Sequence, residues 1–318
     1  MHFFTPKAIQ NLCQQYGLKP SRDYGQNYLL SLEPIEAMLK AAEIKKTDTI
    51  VEIGPGFGAL TCGLADEAGK VIAFEIEKKI EKYWQEKTKE YPNVEIVWGN
   101  VLRMFCHFER GLKADEKSPS DAIDDNGDPP HSFGMTVGEP YKVVANIPYQ
   151  ITSPLIKLFL EDIKNKPELM VLMVQKEVAE RICAKPGDMS VLAIAVQYFA
   201  TPEIIIHVPR HFFYPIPEVD SAVIKITLKK FDKNQEENTK QFFKLVKTGF
   251  SSRRKILVKN LLPLVGGGSG LKKLQEIWEK LGYSRTIRAQ ELSVTDWIKL
   301  AQELAQSYPH TKKDEDVV

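Results

Sequence analysis

Four consecutive residues, Asn146-Ile147-Pro148-Tyr149, bring together an amide, a rigid turn and an aromatic ring. They follow the apolar run Tyr141-Lys142-Val143-Val144-Ala145, whose length and composition predict a buried strand. A proline three residues past its end cannot donate to a ladder and forces an open turn. The tetrapeptide is therefore expected at the carboxyl end of a strand, the edge at which open α/β sheets bind ligands. There the Asn146 side-chain oxygen and the Ile147 carbonyl can accept hydrogen bonds from an exocyclic amine while the Tyr149 ring stacks on the base. The chemistry indicated is the holding of an adenine- or cytosine-type amino group.

A second constellation lies upstream. Thr49-Ile50-Val51-Glu52-Ile53 predicts a short strand, and Gly54-Pro55-Gly56-Phe57-Gly58-Ala59 turns from it into a helix. Glycines at alternate positions let the backbone approach a ligand and leave helix N-terminal amides facing it. Lys70-Val71-Ile72-Ala73-Phe74 predicts the next strand, ending in Glu75, whose carboxylate can accept both hydroxyls of a ribose. The spacing Gly54-x-Gly56-x-x-Ala59 also suits a dinucleotide enzyme. Glu52 in the strand and Pro55 in the turn fit a loop around an amino-acid tail better than a pyrophosphate cradle. A dehydrogenase has no use for the second site at Asn146.

These residues need a frame, and the chain supplies one. Strands are expected at 49–53, 70–74, 94–98, 141–145, 169–175, 203–208 and 222–228, alternating with helices until the last two. That order predicts a mainly parallel seven-stranded sheet with one antiparallel strand at its edge. A weak helix precedes it, with Ile9, Leu12, Cys13 and Tyr16 on one face and Gly17 as its stop. Residues 106–140 lose hydrophobic periodicity and collect acids, prolines and serines, which predicts a mobile insertion. From about 233 to 306 the pattern is helical, with Gly266-Gly267-Gly268-Ser269-Gly270 as a hinge, and 307–318 reads as a disordered tail. The expected division is thus a sheet domain over 1–232 and a small all-α domain over 233–306.

Composition narrows the partners little: 43 basic residues balance 42 acidic ones among 318. The local distribution is more telling, because Lys240, Lys244, Lys247, Arg253, Arg254, Lys255 and Lys259 cluster with almost no acids between them. Such a run is either a solvated face or a phosphate-contacting surface, and a base-binding motif elsewhere in the chain favours the second. Cys13, Cys62, Cys106 and Cys183 have no paired spacing and no His cluster beside them, so reduced thiols and no metal site are expected. No stretch has the length of a signal peptide's apolar region or a membrane span, which predicts a cytoplasmic protein.

Five segments in order carry a resemblance: Tyr24-Gly25-Gln26-Asn27-Tyr28-Leu29, Val51-Glu52-Ile53-Gly54-Pro55-Gly56, Asn146-Ile147-Pro148-Tyr149, Gln175-Lys176-Glu177-Val178-Ala179-Glu180-Arg181, and Phe213-Tyr214-Pro215-Ile216-Pro217-Glu218-Val219-Asp220-Ser221. Over about residues 20 to 300 the chain resembles the ribosomal RNA small-subunit adenine N6,N6-dimethyltransferase family, the KsgA type. The resemblance implies a Rossmann-like methyltransferase fold, S-adenosylmethionine as donor, and two adjacent adenosines near the 3′ end of small-subunit rRNA as acceptors. The partner implied is the assembling small subunit, and a monomer is the default state.

Carried over by position, Asn27 and Leu29 close over the donor, Gly54 and Gly56 contact it, Glu75 holds its ribose and Asn100 its adenine. Asn146 borders both donor and target amine, with Tyr149 and Phe213 stacking on the flipped base. Phe213 is open to a second reading as a core side chain. Lys244, Lys247, Arg253, Arg254, Lys255 and Lys259 form the RNA-binding surface. Three features depart from the family: Asn100 stands where Asp is usual, the 106–140 insertion is long, and the loop Lys185-Pro186-Gly187-Asp188 is short. Two alternatives stay open. One is a large-subunit adenine methyltransferase of the macrolide-resistance type, which shares Asn-Ile-Pro-Tyr; the other is an assembly factor whose catalysis is dispensable.

Overall fold

The computed structural model describes residues 5–18, 27–105, 139–230 and 233–307, so the Tyr24-Gly25-Gln26 lead-in, Cys106, nearly all of the expected insertion and the tail lie outside the described residues. Contacts divide the chain into two compact units, Met1–Ala179 with Pro202–Leu228, and Glu180–Thr201 with Lys229–Val318. Residues 180–201 thus group with the C-terminal helices, whereas the sequence places the division at 232.

In the first unit the helix α1 (Pro6–Gln15) starts at Thr5, whose Oγ1 accepts from the Ala8 amide at 3.1 Å, and buries Ile9 and Cys13. Strand β1 (Tyr28–Leu29) and helix α2 (Glu33–Ala42) follow. Then come β2 (Thr49–Ile53), α3 (Ala59–Glu67), β3 (Lys70–Glu75), α4 (Glu81–Lys87) and β4 (Val94–Trp98). After the undescribed segment come β5 (Tyr141–Asn146), α5 (Thr152–Lys157), β6 (Leu169–Gln175) and α6 (Lys176–Ile182), followed in the chain by α7 (Val191–Phe199), which groups with the second unit. The strands β7 (Ala200–Val208), β8 (Phe213–Tyr214) and β9 (Ser221–Leu228) close the series.

The seven-stranded sheet has the order β4-β3-β2-β5-β6-β9-β7. β2 runs parallel to both β3 and β5, β3 to β4 and β5 to β6, while β9 is antiparallel to β6. The reversed strand is therefore one place in from the edge and not at the edge as expected. Burial explains the difference: Ala222, Val223, Ile224 and Ile226 of β9 are fully buried, as an interior strand covered on both faces requires. β7 instead exposes alternate residues along its length, the mark of a boundary strand. A second, two-stranded ladder pairs Tyr28 with Tyr214 and Leu29 with Phe213. Nothing in either dipeptide announces a strand.

A buried lysine locks α2 to the sheet. The Lys142 ammonium in β5 donates to the carbonyls of Ala42 (3.1 Å) and Glu43 (2.8 Å) at the end of α2 and to Asp48 Oδ2 at 2.7 Å. It thereby satisfies carbonyls that a helix end leaves unpaired and places a cation at the negative end of the dipole. Burial acts to raise the Asp48 carboxyl, but hydrogen bonds from Lys142 and the Lys45 amide outweigh it and hold the group below its ordinary range.

The second unit buries Phe242, Leu245 and Val246 from α8 (Lys233–Gly249), Leu257 and Leu261 from α9 (Leu257–Leu261), Leu274, Ile277 and Trp278 from α10 (Leu271–Leu281), and Trp297 and Leu300 from α11 (Val294–Ser307). Tyr198 of α7 stacks on Phe242 with ring centroids 4.3 Å apart, which is why residues 191–199 belong with these helices. The expected hinge is a short 3₁₀ turn over Gly267–Gly270, with Gly270 buried. In the expected short loop, the amides of Gly187 and Met189 both donate to the Gln290 carbonyl.

Lys142→Met keeps the apolar stem and removes the ammonium. It is expected to lower unfolding free energy by about 3 kcal/mol in urea titrations, the low end for breaking a buried pair. Asp48 has a depressed folded-state value, so its contribution is complete above the unfolded carboxyl value of about 3.9 and is lost as pH falls through the folded one. The difference between wild type and variant should accordingly narrow below about pH 4.

Candidate functional site

Parallel strands all end on one edge, and there the first unit has a cavity of about 560 Å³. Its floor follows the strand order: Asn100 beyond β4, Glu75 at the end of β3, Gly54 and Gly56 beyond β2, and Asn146, Ile147, Pro148 and Tyr149 at and beyond β5. Asn27 and Leu29 reach the same cavity from the N-terminal segment. Ten of the predicted cofactor and target residues are thus gathered around one space. Phe213 is not among them. It is 1% exposed, pairs with Leu29 across the small ladder and lies in the hydrophobic core, so of its two readings the structure places it as a core side chain.

Two carboxyls face different conditions here. The Glu75 carboxylate accepts from the amides of Ile76 and Glu77, each at 2.8 Å, and of Gly56 at 3.2 Å. Burial outweighs the opposing pull of these three amides and leaves the Glu75 carboxyl above its ordinary range. Glu52 is fully buried in β2, and its Oε2 has no hydrogen-bond partner among the described residues. Burial, reinforced by repulsion from Glu75, pushes the Glu52 carboxyl up to about 8, so it is protonated at neutral pH. The loop that separates them turns through left-handed backbone at Gly54 (φ 71°) and Gly56 (φ 53°). A β-carbon at Gly56 would also meet the Tyr28 ring at 3.4 Å, and that ring stacks on Phe57 at 5.1 Å.

Across the cavity the Asn146 Nδ2 donates to the Asn27 carbonyl at 3.4 Å. This leaves the amide oxygen on the opposite branch to act as an acceptor. Tyr149, half-buried in the turn Tyr149–Ile151, shares a 2.7 Å hydrogen bond with the Ser221 hydroxyl, and burial raises its phenol above the ordinary value. Asn100 has a local duty that the sequence reading missed: its Oδ1 accepts from the Leu102 amide at 2.9 Å, as a helix N-cap does. Tyr28, Ile76 and Ser221 were missed as well. Tyr28 and Ser221 sit inside the quoted motifs, and Ile76 is signalled by an isoleucine that is 67% exposed directly after Glu75.

A family model for ribosomal RNA adenine dimethylase matches residues 17–306. The chain belongs to this family. Ribosomal RNA small subunit methyltransferase A of Dehalococcoides mccartyi (strain CBDB1) is 38% identical over 298 residues, covering 93% of this chain and 92% of that protein. The protein of the same name from Ligilactobacillus salivarius (strain UCC118) is 37% identical over 305 residues, covering 95% and 96%. Among solved structures, a dimethyladenosine transferase from Plasmodium falciparum superposes with a TM-score of 0.67 at 27% identity, covering 87% of this chain and 97% of that one. The 23S rRNA methyltransferase ErmE, at TM-score 0.65 and 24% identity over 88% of this chain and 100% of that one, shares the fold.

As an rRNA adenine dimethyltransferase the chain uses S-adenosylmethionine, and the cavity fits that donor. Glu75 is a buried acceptor already held in place by three amides, and the Gly54–Gly56 turn beside it runs through left-handed backbone that side chains rarely adopt. Among the described residues no group of three or more His, Cys, Asp or Glu is placed to hold a metal, and no helix is long and apolar enough to cross a membrane. In the helical unit Lys240, Lys244 and Lys247 line the exposed side of α8, and Arg253, Arg254, Lys255 and Lys259 are exposed just after it.

The Glu52 carboxyl has a folded-state value above its unfolded one, so the folded chain keeps a proton that the unfolded chain releases. Its effect is to make stability fall as pH rises from about 4.3 toward the folded value. Glu52→Gln removes this loss. Thermal unfolding at pH 5, 6.5 and 8 should show the variant gaining on wild type with each step, and parallel curves would contradict the assignment.

Proposed function

We propose that the chain converts two adjacent adenosines near the 3′ end of small-subunit rRNA to their N6,N6-dimethyl form on assembling subunits. The observation that carries this reading is the anchored amide of Asn146, whose acceptor oxygen borders the same cavity as the amide-held carboxylate of Glu75. The Glu75 carboxylate holds the donor's ribose, Asn100 borders its base, and the Gly54–Gly56 backbone lies against its tail. When bound, S-adenosylmethionine supplies an electrophilic methyl on a positive sulfonium.

The adenine amine is a poor nucleophile because its lone pair is conjugated with the ring. The Asn146 Oδ1 and the Ile147 carbonyl accept its two N–H bonds and hold the nitrogen pyramidal, with its lone pair freed from the ring and aimed along one direction. The Pro148 carbonyl already accepts from the Ile151 amide at 3.0 Å, so Ile147 is the adjacent main-chain acceptor. No strong base is required, since the product nitrogen sheds its proton after transfer. Alignment and fixed dipoles account for the rate. Extrusion of the base costs a few kcal/mol, which stacking on Tyr149 offsets at about 1–3 kcal/mol. The exposed Lys244, Lys247, Arg253, Arg254, Lys255 and Lys259 contact RNA phosphates. The enzyme works as a cytoplasmic monomer.

Relatives at 38% and 37% identity that are named for the small subunit weigh against the large-subunit reading. Mass spectrometry of rRNA from cells with and without the gene tests the target: dimethyladenosine should vanish from the small subunit, and loss from the large subunit alone would sink the proposal. Asn146→Ala should lower methyl transfer at least about 100-fold while leaving binding to unmethylated subunits intact. Glu75→Ala should weaken donor binding in calorimetry by roughly 10- to 100-fold, the value of hydrogen bonds to a charged group.

A further inference from the structure

We propose that Ser221 is a positioning residue for the target base, acting through Tyr149. The inference rests on the reading of Tyr149 as the ring on which the target base stacks. Ser221 is the first residue of β9, fully buried, and paired with Gln175 at the end of β6. Because β9 runs against β6, its amino end lies on the edge where the parallel strands finish. A serine remote in sequence is thereby brought within 2.7 Å of the Tyr149 hydroxyl.

The geometry of a phenol decides what this bond controls. The hydroxyl lies on the axis about which the ring flips, so a hydrogen bond to it leaves that flip free. Swinging the whole ring about its first side-chain torsion moves the hydroxyl by several ångströms and breaks the bond. Ser221 therefore sets where the ring stands. Pro148, at φ −55°, holds the other end of the lever, since the backbone entering Tyr149 is restricted. Asp220 is itself tied down: its Oδ1 accepts from the Arg210 amide at 2.9 Å and its carbonyl from the Lys176 amide at 3.0 Å. The serine is thus presented from a braced strand end. A ring free to swing would spend part of its time away from the stacking position, and the amine would lose alignment with Asn146.

The test is a double-mutant cycle of Ser221→Ala and Tyr149→Phe, with methyl transfer measured on unmethylated small subunits. Each single variant should lower kcat/KM roughly fivefold, the order of one hydrogen bond, with the calorimetric donor Kd unchanged. The double variant should be no worse than either single one. Wild-type kcat/KM in Ser221→Ala overturns the inference, and so does a double loss equal to the product of the two singles. An equal loss of donor affinity in Ser221→Ala also overturns it, since that marks a general structural effect. Should Ser221→Ala fail to fold, Tyr149→Phe decides alone, and wild-type kcat/KM there rejects the role. Tyr149→Ala tests the underlying reading separately: undiminished transfer would remove the stacking ring itself.

Discussion

Parallel pairing of β2 with both β3 and β5 is the constraint on which the rest of the site depends. Strands that run together end together, and the backbone leaving each one carries amides and carbonyls with no ladder partner. Those groups must be satisfied by something at the edge. The Glu75 carboxylate supplies part of the answer by collecting three of these amides, one from the β2 turn and two from its own exit. A buried charge is tolerable there because the surrounding dipoles replace water. Glu52, one strand over and without such partners, is kept neutral by the same burial. Burial pushes both glutamates at these neighbouring strands up, and the amides that reach Glu75 oppose that push.

The reversed strand has a consequence beyond closing the sheet. Its amino end meets the carboxyl ends of the parallel strands, which brings the Ser221 hydroxyl within 2.7 Å of the Tyr149 hydroxyl. The two-stranded ladder does the same for the N-terminal segment: pairing Leu29 with Phe213 and Tyr28 with Tyr214 holds Asn27 where its carbonyl meets Asn146. Phe213 serves the site from the core, by anchoring the strand that carries this loop.

The helical unit follows ordinary amphipathic logic. Phe242, Leu245 and Val246 face the interior of α8 while Lys240, Lys244 and Lys247 face water. The stacking of Tyr198 on Phe242 draws α7 into this core. A helix that reads as one more crossover of the sheet domain is thereby assigned by side-chain packing to the other unit.

Much of the fold and site was legible because periodicity is local. Seven strands, the glycine turn, the acid that closes β3 and the Asn146 tetrapeptide each announce themselves within a few residues, through β-branched runs, φ requirements and the missing amide of proline. From those alone follow the sheet and the edge at which the cavity lies. What tertiary structure decided was set by partners far apart in sequence. Strand order placed β9 inside the edge because both its faces are buried. Phe213 became a core side chain and Ser221 the partner of Tyr149, since a hydroxyl or a ring acquires its role from what it touches. Periodicity along the chain carries no record of those contacts: Ser221 meets Tyr149 across 72 residues, and Phe213 pairs with Leu29 in a separate ladder.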